Sequence, residues 1–283
     1  MFLGSSATGS LAAGTTPDMH RYSWRLVAAL LVGAAACRPE FELKNFTTNE
    51  ALYTASFREY QRGKWDNAIS GFEKLTTELP PRDSLLPRSY WYLASAHERS
   101  GEHLLAAQSY NRLVETFPDD SLAPRAALEA GRAYASLWRK PQLDPTYGET
   151  ALATFSTLIG LYPDSKLVDT AQKAIAALNN KFAIKDYATG VYYKNRRAYD
   201  SGILYFNNIL VKWPETPTAR DAMLRLVESF KAIRYLSDAA DLCSKLAAQY
   251  PDDREVPRVC RDVPPPKPVP TATAAPPPKP PAR

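Results

Sequence analysis

A chain of 283 residues, 45% hydrophobic and 23% charged, is long enough for one or two ordinary domains or one repeat array and has the composition of a soluble folded protein. Its net charge of +5 sits at the ends: Arg21 and Arg25 against Asp18 leave one positive charge in 1–36, and Arg258, Arg261, Lys267, Lys279 and Arg283 against Asp262 leave four in 257–283. The body, 37–256, is close to neutral, so a nucleic-acid partner is not expected; the basic tail reads as a solvated tail or a contact for an acidic surface.

The first element is an address. Met19 to Arg25 is short and basic, Leu26–Ala36 (LVAALLVGAAA) is an apolar run of 11 residues ending in small ones, and Cys37 follows at once. That order of basic stretch, apolar run and small-residue site marks 1–36 as a secretory signal peptide. The run is shorter than the roughly 20 residues of a bilayer span. Met19 reads as the natural start, and residues 1–18, which are polar, as an extension of the gene model. A signal ending in small residues directly before Cys resembles the lipobox of bacterial lipoproteins, although Ala34 stands where that pattern usually has Leu. The resemblance implies lipidation at Cys37, a lipidated linker over 37–48 and membrane attachment through the anchor. The alternative is an ordinary cleaved signal with an incidental Cys. Each buried methylene contributes about 0.8 kcal/mol and one acyl chain anchors only marginally, so the several chains of a mature lipoprotein would hold firmly. Arg38 after the Cys, rather than Asp, implies by the same resemblance the outer membrane.

From residue 49 to 256 one pattern recurs five times: a small residue, an apolar residue four on, another three later, and Pro five beyond. The copies are Ala68, Phe72, Leu75, Pro80; Ala106, Tyr110, Leu113, Pro118; Ala151, Phe155, Leu158, Pro163; Gly202, Phe206, Ile209, Pro214; and Ala239, Cys243, Leu246, Pro251. Leu79, Phe117, Tyr162, Trp213 and Tyr250 precede the prolines. Spacings of four and three place the apolar positions on one helix face, and Pro ends each helix because it lacks an N–H and disfavours helix in the residue before it. The first copy extends backward as Tyr60-x-x-Gly63-Lys64-Trp65-Asp66-x-Ala68, which resembles the tetratricopeptide repeat, with Gly63 turning the chain between two helices. The expected fold is all-α: a tetratricopeptide-type α-solenoid of five helical hairpins with insertions. Helices are expected at Pro124–Arg139, near Lys166–Leu178 and at Phe182–Asn195, with a loop at Lys140–Thr146. Residues 257–283 hold 11 of the 24 prolines and read as a Pro-rich disordered tail: a spacer, a ligand for another domain or a cell-wall contact.

Asp144-Pro-Thr-Tyr-Gly-Glu-Thr-Ala-Leu-Ala-Thr-Phe155, then Tyr162-Pro-Asp-Ser165, then YATGVYYKNRRAY from Tyr187 to Tyr199, then Trp213-Pro-Glu-Thr216 through Arg220-Asp-Ala222, follow in order. This succession, over roughly 37–251, resembles the BamD family of lipoproteins of the β-barrel assembly machinery. The resemblance implies a place on the periplasmic face of the outer membrane. It implies as partners a barrel-forming outer-membrane assembly protein, engaged through the C-terminal repeats, sister lipoproteins, and unfolded outer-membrane protein substrates at the N-terminal repeats. The other reading is a periplasmic adaptor for cell-wall or division proteins, or a structural tether through the tail.

The repeat register places Tyr53, Phe57 and Tyr60 in the first repeat, and Trp91, Glu98 and Arg99 in the second, on the face lined by first helices. Aromatic side chains there offer large contact area at low entropic cost. They form a peptide-binding groove or pack against Phe46, Leu52 and neighbouring helices. Lys194, Arg196 and Arg197 form a basic turn that meets an acidic partner or is simply solvated. Cys243 and Cys260 form a disulfide in an oxidising compartment, or are a buried thiol and an incidental one. His97 and His103, near a hairpin turn, are expected to be exposed. No zinc-spaced His/Cys set, phosphate-binding loop or nucleophile elbow is present in the sequence, so neither enzyme chemistry nor a metal or other cofactor is expected.

Overall fold

The computed structural model describes residues 41–265, so Cys37 and the signal segment lie outside the described residues. The chain divides into two units, Met1–Phe46 and Thr47–Arg283. The described part of the first is a 3-10 turn at Leu43–Asn45, with the rings of Phe41 and Phe46 5.4 Å apart.

The described part of the second unit contains eleven α-helices and no strand. They pair as hairpins: α1 (Asn49–Gln61) with α2 (Trp65–Glu78), α3 (Leu85–Ser100) with α4 (His103–Thr116), α5 (Ala123–Leu137) with α6 (Thr146–Leu161), α7 (Val168–Asn195) with α8 (Tyr199–Lys212), and α9 (Pro217–Ala232) with α10 (Leu236–Gln249). The short α11 (Glu255–Val259) closes the series. Each helix packs on the next in the chain. This is the tetratricopeptide-type array that the sequence predicts.

The recurring pattern is the core of each hairpin. Ala68, Ala106, Ala151 and Ala239 are fully buried, as are Leu75, Leu113, Leu158, Ile209 and Leu246. Phe72, Tyr110, Phe155 and Phe206 fill the space between helices at 0 to 1% exposure. The small residue lets the partner helix approach, and the aromatic ring occupies the volume that remains. The residue before each Pro is the helix C-cap, its N–H bonded to the carbonyl four residues back. The chain then restarts. After Pro118, Pro163 and Pro251 the side chain two residues on (Asp120, Ser165, Asp253) accepts the N–H of Leu122, Leu167 and Glu255 at 2.8, 3.2 and 2.8 Å. These side chains satisfy N–H groups that the start of a helix leaves unpaired.

Inside the first two hairpins the turn residues Gly63 and Gly101 have φ of 72° and 87°, the left-handed region where glycine carries no Cβ penalty. Arg197 (φ 63°) and Arg234 (φ 67°) occupy the same place in the fourth and fifth hairpins.

Three expectations are corrected. The helix expected over Pro124–Arg139 ends at Leu137, and the connecting loop runs over 138–145. Trp138 leaves the helix to bury its ring, 1% exposed, against Phe182 at 4.6 Å. Lys181 donates to the Trp138 carbonyl and Lys185 to that of Leu143 at 3.0 Å, pinning the loop to α7. Second, the two helices expected over Lys166–Leu178 and Phe182–Asn195 are one helix of 28 residues. Asn179, Asn180 and Lys181 contain no breaker, and Leu178 and Phe182, four apart, share a buried face. The helix is about 42 Å long at 1.5 Å per residue. Leu178 and Phe182 join a core made by α3–α6, and Ala183 joins one made by α8–α11. Third, the tail boundary at 256/257 falls inside α11, and the chain is described as far as Pro265. Val256 and Val259 are buried, which draws this segment onto the body.

Candidate functional site

Tyr53, Phe57 and Tyr60 are spaced four and three along α1 and share one face. Their rings follow one another at 6.5 and 6.3 Å, each pair within 10° of parallel. Tyr92 of α3 sits against all three, 4.8 Å from Phe57, 5.3 Å from Tyr60 and 6.5 Å from Tyr53, and 5.7 Å from Phe72. The Tyr60 hydroxyl is 2.7 Å from Ser95 Oγ. All four residues are half-buried, packed on one another and partly exposed to solvent. Burial, then Tyr92, raises the Tyr53 pKa, with Arg88 opposing. The arrangement is a row of packed rings, three of them carrying hydroxyls, that stays partly exposed.

Trp91 is not part of that row. One residue from Tyr92, it turns to Tyr110 at 5.2 Å and lies under the Arg125 guanidinium, also at 5.2 Å. Glu98 accepts the Tyr110 hydroxyl at 3.3 Å, while Arg99 is exposed at the end of α3. Burial, then Glu98, raises the Tyr110 pKa. Of the six residues named from sequence, Tyr53, Phe57 and Tyr60 form one group, Trp91 and Glu98 meet at Tyr110, and Arg99 joins neither. Tyr92, which sequence reasoning missed, is the centre of the first. Its signal is the run Tyr90-Trp91-Tyr92, from which the repeat register selected the neighbour. An open groove of about 400 Å³, lined in part by Tyr90, Gln108, Asn111, Arg112 and Tyr134, was likewise not legible. It joins α3, α4 and α5.

His97 is not exposed as expected. It is 4% exposed, and its Nδ1 lies 2.7 Å from Glu102, which also accepts Ser100 at 3.0 Å. Gly101 bends the chain so that Glu102 folds back onto the end of α3. The hydrogen bonds from His97, first, and Ser100 hold the Glu102 pKa below the usual range.

In the fourth hairpin the basic turn divides. Lys194 points into the body and pairs with Glu228 of α9 at 2.6 Å. Arg225 reaches the same carboxylate at 2.8 Å and donates to the Tyr187 hydroxyl at 3.1 Å. Burial opposes the charge on Glu228, but the bonds from Lys194 and Arg225 prevail and its pKa is lowered. Arg196 lies 4.6 Å over the ring of Tyr192, which is 52% exposed, and Arg197 is exposed. Of the three, only Arg196 and Arg197 are exposed.

The last hairpin is tied down. Cys243 and Cys260 are joined by a disulfide, Cα atoms 5.9 Å apart. Arg220 bonds Asp253 at 2.6 Å and Glu255 at 3.0 Å. Among the described residues no group of three or more His, Cys, Asp or Glu could hold a metal, and no helix is long and apolar enough to cross a membrane.

A family profile described as YfiO, outer membrane lipoprotein, matches residues 46–253. The chain belongs to that family. The match takes in all five hairpins and both surfaces described above. Relatives named outer membrane protein assembly factor BamD are similar along most of the chain. The Vibrio cholerae protein is 30% identical over 210 residues, covering 71% of this chain and 86% of its own. The Caulobacter vibrioides protein is 25% identical over 235 residues, covering 81% and 75%. Among solved structures, a tetratricopeptide repeat protein from Parabacteroides merdae aligns at 16% identity over 75% of this chain and 70% of its own, with a TM-score of 0.33. The family match ends at 253, so α11 and the disulfide to Cys260 lie at or beyond its edge.

Proposed function

We propose that the chain is a non-catalytic, lipid-anchored subunit of the outer-membrane protein assembly machinery, held by Cys37 on the periplasmic face. The observation that carries this reading is the family match across all five hairpins, together with relatives named as assembly factors. Two surfaces divide the work. The row Tyr53, Phe57, Tyr60 and Tyr92 takes extended, aromatic-bearing segments of unfolded β-barrel substrates, because half-buried rigid rings give contact area at low entropic cost. The turn with Arg196 and Arg197 meets an acidic surface of the barrel-forming partner, alongside sister lipoproteins.

Affinity purification from detergent-solubilised outer membrane tests the reading. Recovery of a large β-barrel protein with periplasmic repeats is the expected result. Recovery of cell-wall or division enzymes alone would assign the chain instead to a periplasmic adaptor. Peptide mapping of the purified protein should find an acylated Cys37 as the first residue; an unmodified Cys37 would remove the anchor.

A further inference from the structure

The last hairpin carries a groove that neither surface uses. It lies between the α9–α10 turn, with Tyr235, Leu236, Asp238 and Ala240, and the chain leaving α11 at Pro264 and Pro265, and encloses about 600 Å³. Tyr235 is 57% exposed. The chain that leads into the opposite wall is held over residues 259–263. Cys260 is bonded to Cys243, Lys231 donates to the carbonyls of Val259 at 3.0 Å and Arg261 at 2.7 Å, and the Val263 N–H bonds the Cys260 carbonyl at 3.2 Å. A tyrosine ring facing a proline-lined channel has the chemistry of a polyproline-binding groove, in which prolines dock on aromatic walls.

The sequence contains a matching ligand. Pro264-Pro265-Pro266-Lys267-Pro268 recurs without change as Pro276-Pro277-Pro278-Lys279-Pro280. The run 271–275, Thr-Ala-Thr-Ala-Ala, separates them and contains no proline, so its backbone has the freedom to reverse. Eleven residues lead from Pro265 to Pro276, a reach of about 34 Å at 3.1 Å per residue, ample for a return. Charge agrees as well. Residues 266–283 contain Lys267, Lys279 and Arg283 and no acidic residue. Asp238 lines the groove and Asp241 is exposed one turn further along α10, against the single cation Arg234 in the wall.

We propose that the groove at Tyr235 seats the chain's own second pentapeptide, residues 276–280, with prolines on the Tyr235 ring and Lys279 opposite Asp238. The seated segment covers Tyr235 and holds the C-terminus beside α10. A proline-rich segment of another protein would have to compete with it.

The test compares the full chain, purified in detergent, with a chain ending at Pro270, which keeps every described residue. The probe is a fluorescent peptide of residues 273–283, followed by anisotropy. The shortened chain should bind it, and the full chain should bind it about tenfold more weakly or less, because its own copy competes at high effective concentration. Tyr235→Ala in the shortened chain should lower affinity about tenfold, the loss typical of an aromatic anchor. Asp238→Lys, on the exposed helix surface, gives a second variant with the same expected direction if Tyr235→Ala does not fold. Equal binding by the full and shortened chains, no binding by the shortened chain, or no effect of either variant would overturn the proposal. A concentration-dependent dimer of the full chain that Tyr235→Ala abolishes would overturn the intrachain seat in favour of tails exchanged between copies.

Discussion

The first and last hairpins solve the same problem with different chemistry. A terminal repeat has a neighbour on one side only and must hold its outer helix without a second stack. At the N-terminal end this is done with rings: Tyr53, Phe57 and Tyr60 of α1 lean on Tyr92 and Phe72, and a buried Glu59 receives Arg62 and Asn67 at 2.9 Å beside the turn. At the C-terminal end it is done with a disulfide, the Arg220 cluster and the Lys231 bonds to the backbone of α11. Half-buried rings keep exposed apolar surface that a ligand could cover. The ion pairs and the covalent link are already satisfied within the chain. The contrast leaves part-exposed rings on the first hairpin and a covalently and ionically braced end on the last.

The largest effect should come from the hairpin cores, where the ends do not differ. Phe206→Ala removes a fully buried ring that fits against Gly190, whose Cβ would lie 2.6 Å from it, and should cost about 3–5 kcal/mol in denaturant unfolding. Next is the disulfide. Cys243→Ser with Cys260→Ser should destabilise by about 3 kcal/mol in the chain-entropy account of a loop of this size, and reductant should do the same to the unsubstituted chain. An unchanged unfolding midpoint in reductant would place the rigidity of the last hairpin in its ion pairs.

The ring cluster should show a smaller stability effect and a larger binding one. Tyr92→Ala should cost about 1–2 kcal/mol, since part of its surface already faces water, and with Tyr53→Ala should weaken binding of an aromatic-ended peptide about tenfold. Trp91→Ala should leave peptide affinity unchanged; equal losses from Trp91→Ala and Tyr92→Ala would merge the two groups that the structure separates. Arg197→Gly relieves a left-handed conformation that costs an arginine about 1 kcal/mol more than a glycine. It should raise stability slightly and lower affinity for an acidic partner. A gain in stability with no loss of affinity would make the turn merely solvated.

The smallest effect is on pH. The Glu228 pKa is lower folded than its ordinary 4.5, so its pairing stabilises fully above that value and fades as pH falls through the depressed one. The pair is partly exposed and screened by solvent. The stability gap between the native chain and Glu228→Gln should be constant at neutral pH and close below about pH 4.5.

By itself the sequence determined the number of hairpins, the helix ends at each Pro and the inward face of each second helix. Those features depend on local spacing and on the fixed chemistry of proline, small residues and rings, which act within one or two turns of chain. What lay beyond reach depended on partners distant in sequence. Whether Trp91 or Tyr92 faces α1 is a rotation of about 100° that only the packing of α3 against two neighbours sets. Lys194 reads as a free cation until Glu228, on another helix, takes it inward. His97 reads as a turn residue until Gly101 folds Glu102 back over it. The continuity of α7 likewise required the two cores that Leu178 and Phe182, on one side, and Ala183, on the other, join. Periodicity shows which face of a helix is apolar; only the tertiary structure shows what that face meets.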